Sequence, residues 1–464
     1  MLATPKLLSS PALRLWLLVS AATLFSLTLL SFYWDSFHAP LAYAQSKAIE
    51  YCDLSKYART PTMTRLLGTN HQANRTPEVR NCSDPYRRPG YLYVPQNRST
   101  NYNRTTYIPY SSDFLNAEDP ETASYPTHGD EVIFNYTAPE PEFLNLKSNP
   151  SQWMQKAVRE NRRRIGAMNL SSDIQKPETF LSMKDDAGLG WLWGRRVVMF
   201  SDSVERYMTQ FFCEEFEGVA KFPITHVSAR QAKVICDVPA FNLTLVYLHS
   251  PGSFTYKPNW WWIKPMEYVA WEERWDKHWR PHEEPIQGPN GRPDLILWQN
   301  GLWDQRAFAE GGKANHGPKH VMAKMERQIQ WQEVRFVAGR IKKIAQRLND
   351  EFGAGAPIMF RSLTTHRTGG MKNTILLDLD RLGRAVAEEA GHEIFEWARI
   401  ITLFSHLFQD EIHPAKGPAS WLWGNMVLEY LARSAGAQVG GESRAPYFDG
   451  WDACHPELLG WGGR

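Results

Sequence analysis

The sequence predicts an α/β fold: a mainly parallel sheet covered by helices on both faces, preceded by a transmembrane helix and an irregular stem. Three observations lead there. An uncharged apolar run lies near the N-terminus. A long stretch rich in Pro, Asn, Ser, Thr and Tyr follows, without sustained apolar periodicity. Beyond about residue 185, short apolar strand-like runs alternate with helical segments, the pattern of parallel strands buried on both faces. A hydrophobic content of 43% is ordinary for a folded chain, and a formal charge of +2 gives no reason to expect nucleic acid as a partner.

From Leu15 to Trp34 no residue is charged, a length that spans a bilayer. Lys6 and Arg14 precede the run and Asp35 follows it. The positive-inside rule therefore puts residues 1–14 in the cytosol, 15–34 in the membrane and the rest in the lumen. The competing expectation is a cleaved signal peptide, because Ala42-Tyr43-Ala44 resembles a signal-peptidase site; the mature chain would then be secreted. Either way the remainder enters the secretory pathway. Sequons at Asn74, Asn81, Asn97, Asn103, Asn135, Asn169 and Asn242 follow the anchor, as a glycosylated stem over residues 35–184 predicts. All five cysteines also follow it. Local spacing suggests Cys52 with Cys82 and Cys213 with Cys236, leaving Cys454 free or intermolecular.

Residues 185–464 form the expected catalytic region. Arg196 to Ser201 is β-branched and apolar, a candidate buried strand, and residues 203–217 then carry a helical pattern. Similar strands are expected at Phe241 to Leu248, Asp294 to Trp298 and Ala356 to Arg361. The clearest later helices are Lys319 to Asn349 and Asn373 to Glu389, with another from Gly417 to Ala432.

Parallel α/β sheets carry their reactive groups at the carboxyl ends of strands. Ser203 falls at such an end, on a strand-to-helix turn where first-turn N–H groups can hold an oxyanion. Ser-Asp-Ser is also an ordinary helix cap, so the turn alone decides nothing. A serine hydroxyl needs a base to take its proton, and the base needs an orienting carboxylate. Phe408-Gln-Asp-Glu-Ile-His-Pro414 offers Asp410 and His413 at a spacing that lets the carboxylate reach one ring nitrogen while the other faces Ser203.

Taken together, Ser201-Asp-Ser-Val-Glu-Arg206 and Asp410-Glu-Ile-His413-Pro414 resemble the PC-esterase branch of the SGNH/GDSL hydrolases, which includes the trichome-birefringence-like polysaccharide O-acetyltransferases. Pro293 to Asp304 resembles that family's Asn-x-Gly-x-Trp strand end, and Phe360 to Arg367 a later strand and loop. The resemblance covers roughly residues 190–435. It implies a three-layer α/β/α SGNH-like domain, a Golgi or endoplasmic-reticulum type II membrane protein, and acetyl transfer through an acyl-serine.

Two positions depart from the family pattern. Ser201 replaces the usual Gly, and Gln299 stands where the family has Asn, with Asn300 one residue later. The resemblance makes Arg206 and Asn300 or Gln299 candidate oxyanion donors, with Asn300 favoured for its shorter amide.

The 19 tryptophans suit sugar stacking as well as core packing. Trp260, Trp261 and Trp303 are candidate substrate-binding residues, and His366 is a candidate cleft residue. Tyr268, Trp271 and Trp275 fall at helical spacing and read as core. No His-Glu-x-x-His, Cys-x-x-Cys or Gly-x-x-x-x-Gly-Lys motif occurs, so no metal, nucleotide or other cofactor is expected. The expected partners are a glycan acceptor, an acyl donor and the membrane. An acetyl esterase and a non-catalytic glycan-binding protein are the alternatives.

Overall fold

The computed structural model describes most of residues 84–110, 149–168, 176–221, 233–253, 270–280, 291–353 and 357–435, with short pieces elsewhere. These fall in one compact unit. The expected tail and anchor, Cys52, Cys82, Cys454, Trp260, Trp261, Tyr268, and the sequons at Asn74, Asn81, Asn135 and Asn169 lie outside the described residues. Among those described, no helix is long and apolar enough to cross a membrane.

In chain order, β1 (Gly90–Tyr93) and β2 (Thr106–Pro109) form an antiparallel hairpin. The helix α1 (Trp153–Met168) follows. Then come β3 (Arg196–Ser201), α2 (Ser203–Glu215), β4 (Val219–Lys221), β5 (Lys233–Val238) and β6 (Leu243–His249). Next are α3 (Trp271–Arg274), β7 (Leu295–Trp298), α4 (Leu302–His316) and α5 (Trp331–Phe352). The chain continues through β8 (Ile358–Arg361), α6 (Asn373–Glu389), β9 (Glu393–Phe395), α7 (Trp397–Ile401) and α8 (Pro418–Ser434).

The main sheet has seven strands in the order β4-β5-β6-β3-β7-β8-β9. From β6 to β9 neighbours run parallel; β5 and β4 close one edge antiparallel. Strand alternation divides the core between two faces. Val197, Met199, Tyr247, Leu295 and Leu297 pack with α1, α2 and α8. Val198, Phe200, Val246, Ile296 and Trp298 pack with α5, α6 and a tryptophan cluster. Helices on both faces make the three layers.

Trp271, Trp275 and Trp279 are all buried; Trp271 and Trp275 stack with centroids 5.0 Å apart, and Trp279 lies 4.7 Å from Phe200. The stripe is core.

Three details depart from the sequence expectation. The helix expected from Lys319 begins at Trp331, because Glu333 caps Gln330 N at 2.8 Å while Arg327 reaches back to the same carboxylate at 2.6 Å. The strand expected from Phe241 begins at Leu243, since Pro239–Phe241 turns and Asn242 takes a left-handed conformation (φ 48°). The N-terminal layer is less irregular than expected. Trp153 Nε1 of α1 donates to Glu429 Oε2 at 2.6 Å, and Asn425 caps Met154 N at 2.9 Å.

Cys213 and Cys236 form a disulfide tying α2 to β5. This bond points to an oxidising, extracytoplasmic compartment.

Candidate active site

After β3 ends at Ser201, Asp202 takes extended dihedrals (φ −91°, ψ −165°) and its carboxylate accepts from Val204 N at 2.9 Å. This cap starts α2 at Ser203. Ser203 therefore stands at the carboxyl edge of a central strand, at the positive end of a helix.

The second half of the site comes from the loop before α8. Phe408 and Pro414 form an isolated antiparallel bridge, and Gln409 N donates to His413 O at 2.9 Å, closing the loop on itself. Inside it, Asp410 Oδ1 accepts from Ile412 N and His413 N, both at 2.8 Å. This turn aims the carboxylate at the histidine's own ring. His413 Nδ1 lies 2.8 Å from Asp410 Oδ2, and Nε2 lies 2.7 Å from Ser203 Oγ. Those partners assign the tautomer: a proton on Nδ1 facing the carboxylate, and a bare Nε2 facing the hydroxyl. Partial burial works to raise the Asp410 carboxyl. The two backbone N–H groups and the His413 ring outweigh it and hold the group below its ordinary value.

Tyr207, one turn after Ser203 on the same face of α2, sets its ring edge-on to His413 with centroids 4.9 Å apart. The Arg206 guanidinium lies 4.9 Å over the Tyr207 ring, so its stacking partner is this tyrosine.

Gln299 and Asn300 follow β7 and are both buried. Extended one residue past β7, strand alternation puts Gln299 in the row of Leu295 and Leu297, on the face that carries α2; its Oε1 has no hydrogen-bond partner among the described residues. Asn300 continues the Ile296 and Trp298 row. With its amide nitrogen turned toward them, it donates to Gln299 O at 3.1 Å and Gly252 O at 3.2 Å. Its amide is thus engaged in holding backbone. At the following Gly301 (φ 158°) a Cβ would run into the Leu363 side chain.

The loop after β6 runs beside this turn. Ser250 N donates to Ser201 O at 2.6 Å, while Ser253 N and Oγ donate to Asp304 Oδ1 at 2.9 and 2.6 Å. Burial pushes the Asp304 carboxyl up to about 6 against these hydrogen bonds.

Trp303, in the first turn of α4, is half-buried and packs edge-on to His249 at 5.8 Å. His366 is buried, with Nε2 2.9 Å from Gln305 Oε1, and burial holds its imidazole below the ordinary value. It braces α4 against the loop after β8. Among the described residues, no three His, Cys, Asp or Glu side chains gather as a metal ion requires.

Sequence reasoning assigned no role to Tyr207, Glu205, Asp304 or Arg361. Tyr207 carried a usable signal, four residues after Ser203 on one helix face. The others are charged groups that only tertiary contacts bury.

No family model matches the chain, and no curated protein matches it. Among solved structures it is similar to Axe2, an acetylxylan esterase from Geobacillus stearothermophilus. The two share 11% identity with a TM-score of 0.28, over 53% of this chain and 96% of that one. It is also similar to the acetyl xylan esterase AlAXEase (11%, TM-score 0.29, 52% and 98%). A third is LAE5, an alpha/beta hydrolase enzyme from the metagenome of Lake Arreo, Spain (13%, TM-score 0.29, 53% and 96%). Similarity this remote assigns no activity to the chain.

Proposed function

We propose that this chain is a serine acyl-ester enzyme of the SGNH, PC-esterase-like kind that moves an acetyl group onto a glycan hydroxyl. Ser203 is the nucleophile, His413 the base and Asp410 its orienting carboxylate. Residues 185–464 carry the chemistry, on the lumenal side of an anchor at 15–34. One observation supports this more than any other: the continuous hydrogen-bonded path from Asp410 through His413 to Ser203 Oγ at the carboxyl edge of the sheet. A buried cap or a surface turn has no need of that path.

In the first half-reaction His413 Nε2 takes the Ser203 proton as Oγ bonds to the acyl carbon. The tetrahedral oxyanion collapses, the bond to the donor's leaving group breaks, and His413 returns the proton to that group. In the second half, His413 deprotonates an acceptor hydroxyl, which attacks the acyl-serine and carries the acetyl group away. The proton passes back to Ser203. The oxyanion lies against Ser203 N–H and a side-chain amide. We assign that amide to Gln299 ahead of Asn300, because Gln299 shares the face of α2 and Asn300 is engaged by carbonyls. Arg206 lends positive charge from the adjoining turn.

An acetyl esterase is the second reading, favoured by the exposure of the site: Ser203 is only half-buried, which leaves room for water to reach an acyl group there.

Intact mass of the full-length chain, after brief exposure to 4-nitrophenyl acetate, tests the proposal. We expect one acetyl adduct that peptide mapping places on Ser203, absent in Ser203→Ala. Added glycan acceptors then separate transfer from hydrolysis, by diverting acetyl from water. No adduct and no turnover in the unaltered chain leaves the non-catalytic, glycan-binding reading.

A further inference from the structure

Beside the Ser203 turn, a strand and a helix each contribute one buried charge. Arg361, the last residue of β8, is fully buried, as is Glu205 in the first turn of α2. Arg361 Nη2 donates to Glu205 Oε2 at 2.9 Å, while Nε lies 2.5 Å from Oε1 as an ion-pair contact and not a hydrogen bond. The same Nη2 lies 3.7 Å from Asp202 Oδ1, the oxygen that caps α2. The Ser201 hydroxyl donates to Glu205 Oε2 as well. Nη1 of the guanidinium donates to Ser362 O at 2.6 Å, which fixes it to its own strand end. One arginine on β8 therefore holds residues 201, 202 and 205, on both sides of the nucleophile.

Such an arrangement is expensive. Moving a carboxylate and a guanidinium out of water costs several kcal/mol per ion, and a well-packed apolar pair of similar volume is often as stable or more so. Burial is the largest influence on Glu205 and raises its carboxyl, against the opposing pull of Arg361. Stability alone gives little reason for the pair. What a planar guanidinium bonded to Glu205 on one side and to its own strand end on the other does supply is orientation. The turn it orients is the one whose dihedrals decide where Ser203 Oγ stands relative to His413 Nε2.

We propose that the Glu205–Arg361 pair positions the nucleophile: it locks the β3–α2 turn so that Ser203 Oγ keeps its distance to His413 before any substrate binds. This rests on the reading of Ser203 as the nucleophile. Neither residue touches substrate; both act through Ser201, Asp202 and the helix start. A shift of the turn by about 1 Å is enough to slow attack about 10²-fold.

The test uses full-length chain and 4-nitrophenyl acetate, with the Ser203 acylation rate constant, the half-saturating ester concentration and the unfolding midpoint all measured. Arg361→Lys keeps the charge and loses the planar guanidinium. It is expected to stay folded, to saturate at the same ester concentration, and to acylate about 10²-fold more slowly. Glu205→Gln strands a buried guanidinium and is expected to lose stability, so the double variant Glu205→Gln/Arg361→Met accompanies it. That variant removes both charges, and is expected to fold with near-normal stability and still acylate slowly. If the double variant and Arg361→Lys are folded and acylate at the wild-type rate, the pair is only structural and the proposal fails. If the unaltered chain is never acylated on Ser203, the failure lies in the reading of the nucleophile itself, and the positioning role falls with it.

Discussion

The pair Gln299 and Asn300 shows how much chemistry can turn on one residue of register. Both follow β7, the strand beside the one that leads to Ser203, both are amides, and both are buried. Strand periodicity separates them by face, and only one face carries α2 and the Ser203 turn. Gln299→Ala is expected to lower the acylation rate constant by about 10²–10³ with little change in unfolding midpoint, the usual loss of one oxyanion donor. Asn300→Ala is expected to do the reverse in emphasis. It frees the carbonyls of Gln299 and Gly252 and so lowers stability by about 1–3 kcal/mol. Paired kinetics and denaturant titrations on the two variants check this; a larger rate loss in Asn300→Ala than in Gln299→Ala would return the role to Asn300. The sequence favoured Asn300 on side-chain length, a criterion that carries no information about face.

At the scale of elements, α2 is fixed at both ends by different chemistry. Its first turn is held by the Asp202 cap and the Arg361 guanidinium, and its end by the Cys213–Cys236 disulfide to β5. The crosslink closes a loop with a sequence separation of 23 residues, which predicts about 3 kcal/mol of stabilisation from lost unfolded-state entropy. The Cys213→Ser/Cys236→Ser variant should show that loss in its denaturant midpoint while Ser203 is still acylated. An unchanged midpoint would mean that the unfolded chain is already confined there. The pairing was legible from spacing, and so was α2 from its apolar period. The start of α5 was not legible, because the cap at Gln330 draws on an arginine whose fold-back no helical period announces.

For the whole molecule, buried carboxyls set how stability responds to pH. Burial pushes Glu393 up to about 8, with the nearby Asp84 charge acting in the same direction, and it pushes Asp304 up to about 6. An acid whose folded value lies above its unfolded value binds more protons in the folded state between the two. Stability from Glu393 is therefore greatest below about pH 4 and declines as pH rises toward about 8; for Asp304 the decline ends near pH 6. Glu393→Gln should flatten the upper part of that decline and raise stability at pH 8 by up to a few kcal/mol. Denaturant melts at pH 5 and pH 8 read this directly, and an identical fall in both proteins would show that Glu393 is not its source.

The sequence by itself determined the layered α/β plan, because a chain whose short buried strands alternate with helices has few other ways to cover both sheet faces. It also determined the catalytic candidates Ser203, Asp410 and His413. Each sits at an element boundary that local residues define: a strand ending in a cap, and a turn closed by an Asp and a Pro. The tertiary structure decided the rest. It set the antiparallel edge of β4 and β5, packed Trp279 with the Trp271 and Trp275 stripe against Phe200, and put His366 against Gln305. Above all it brought Arg361 to Glu205, in the first turn after Ser203, across 156 residues of sequence. Burying a charge depends on what closes over it from every side, and a linear pattern records neither the closing elements nor their distance.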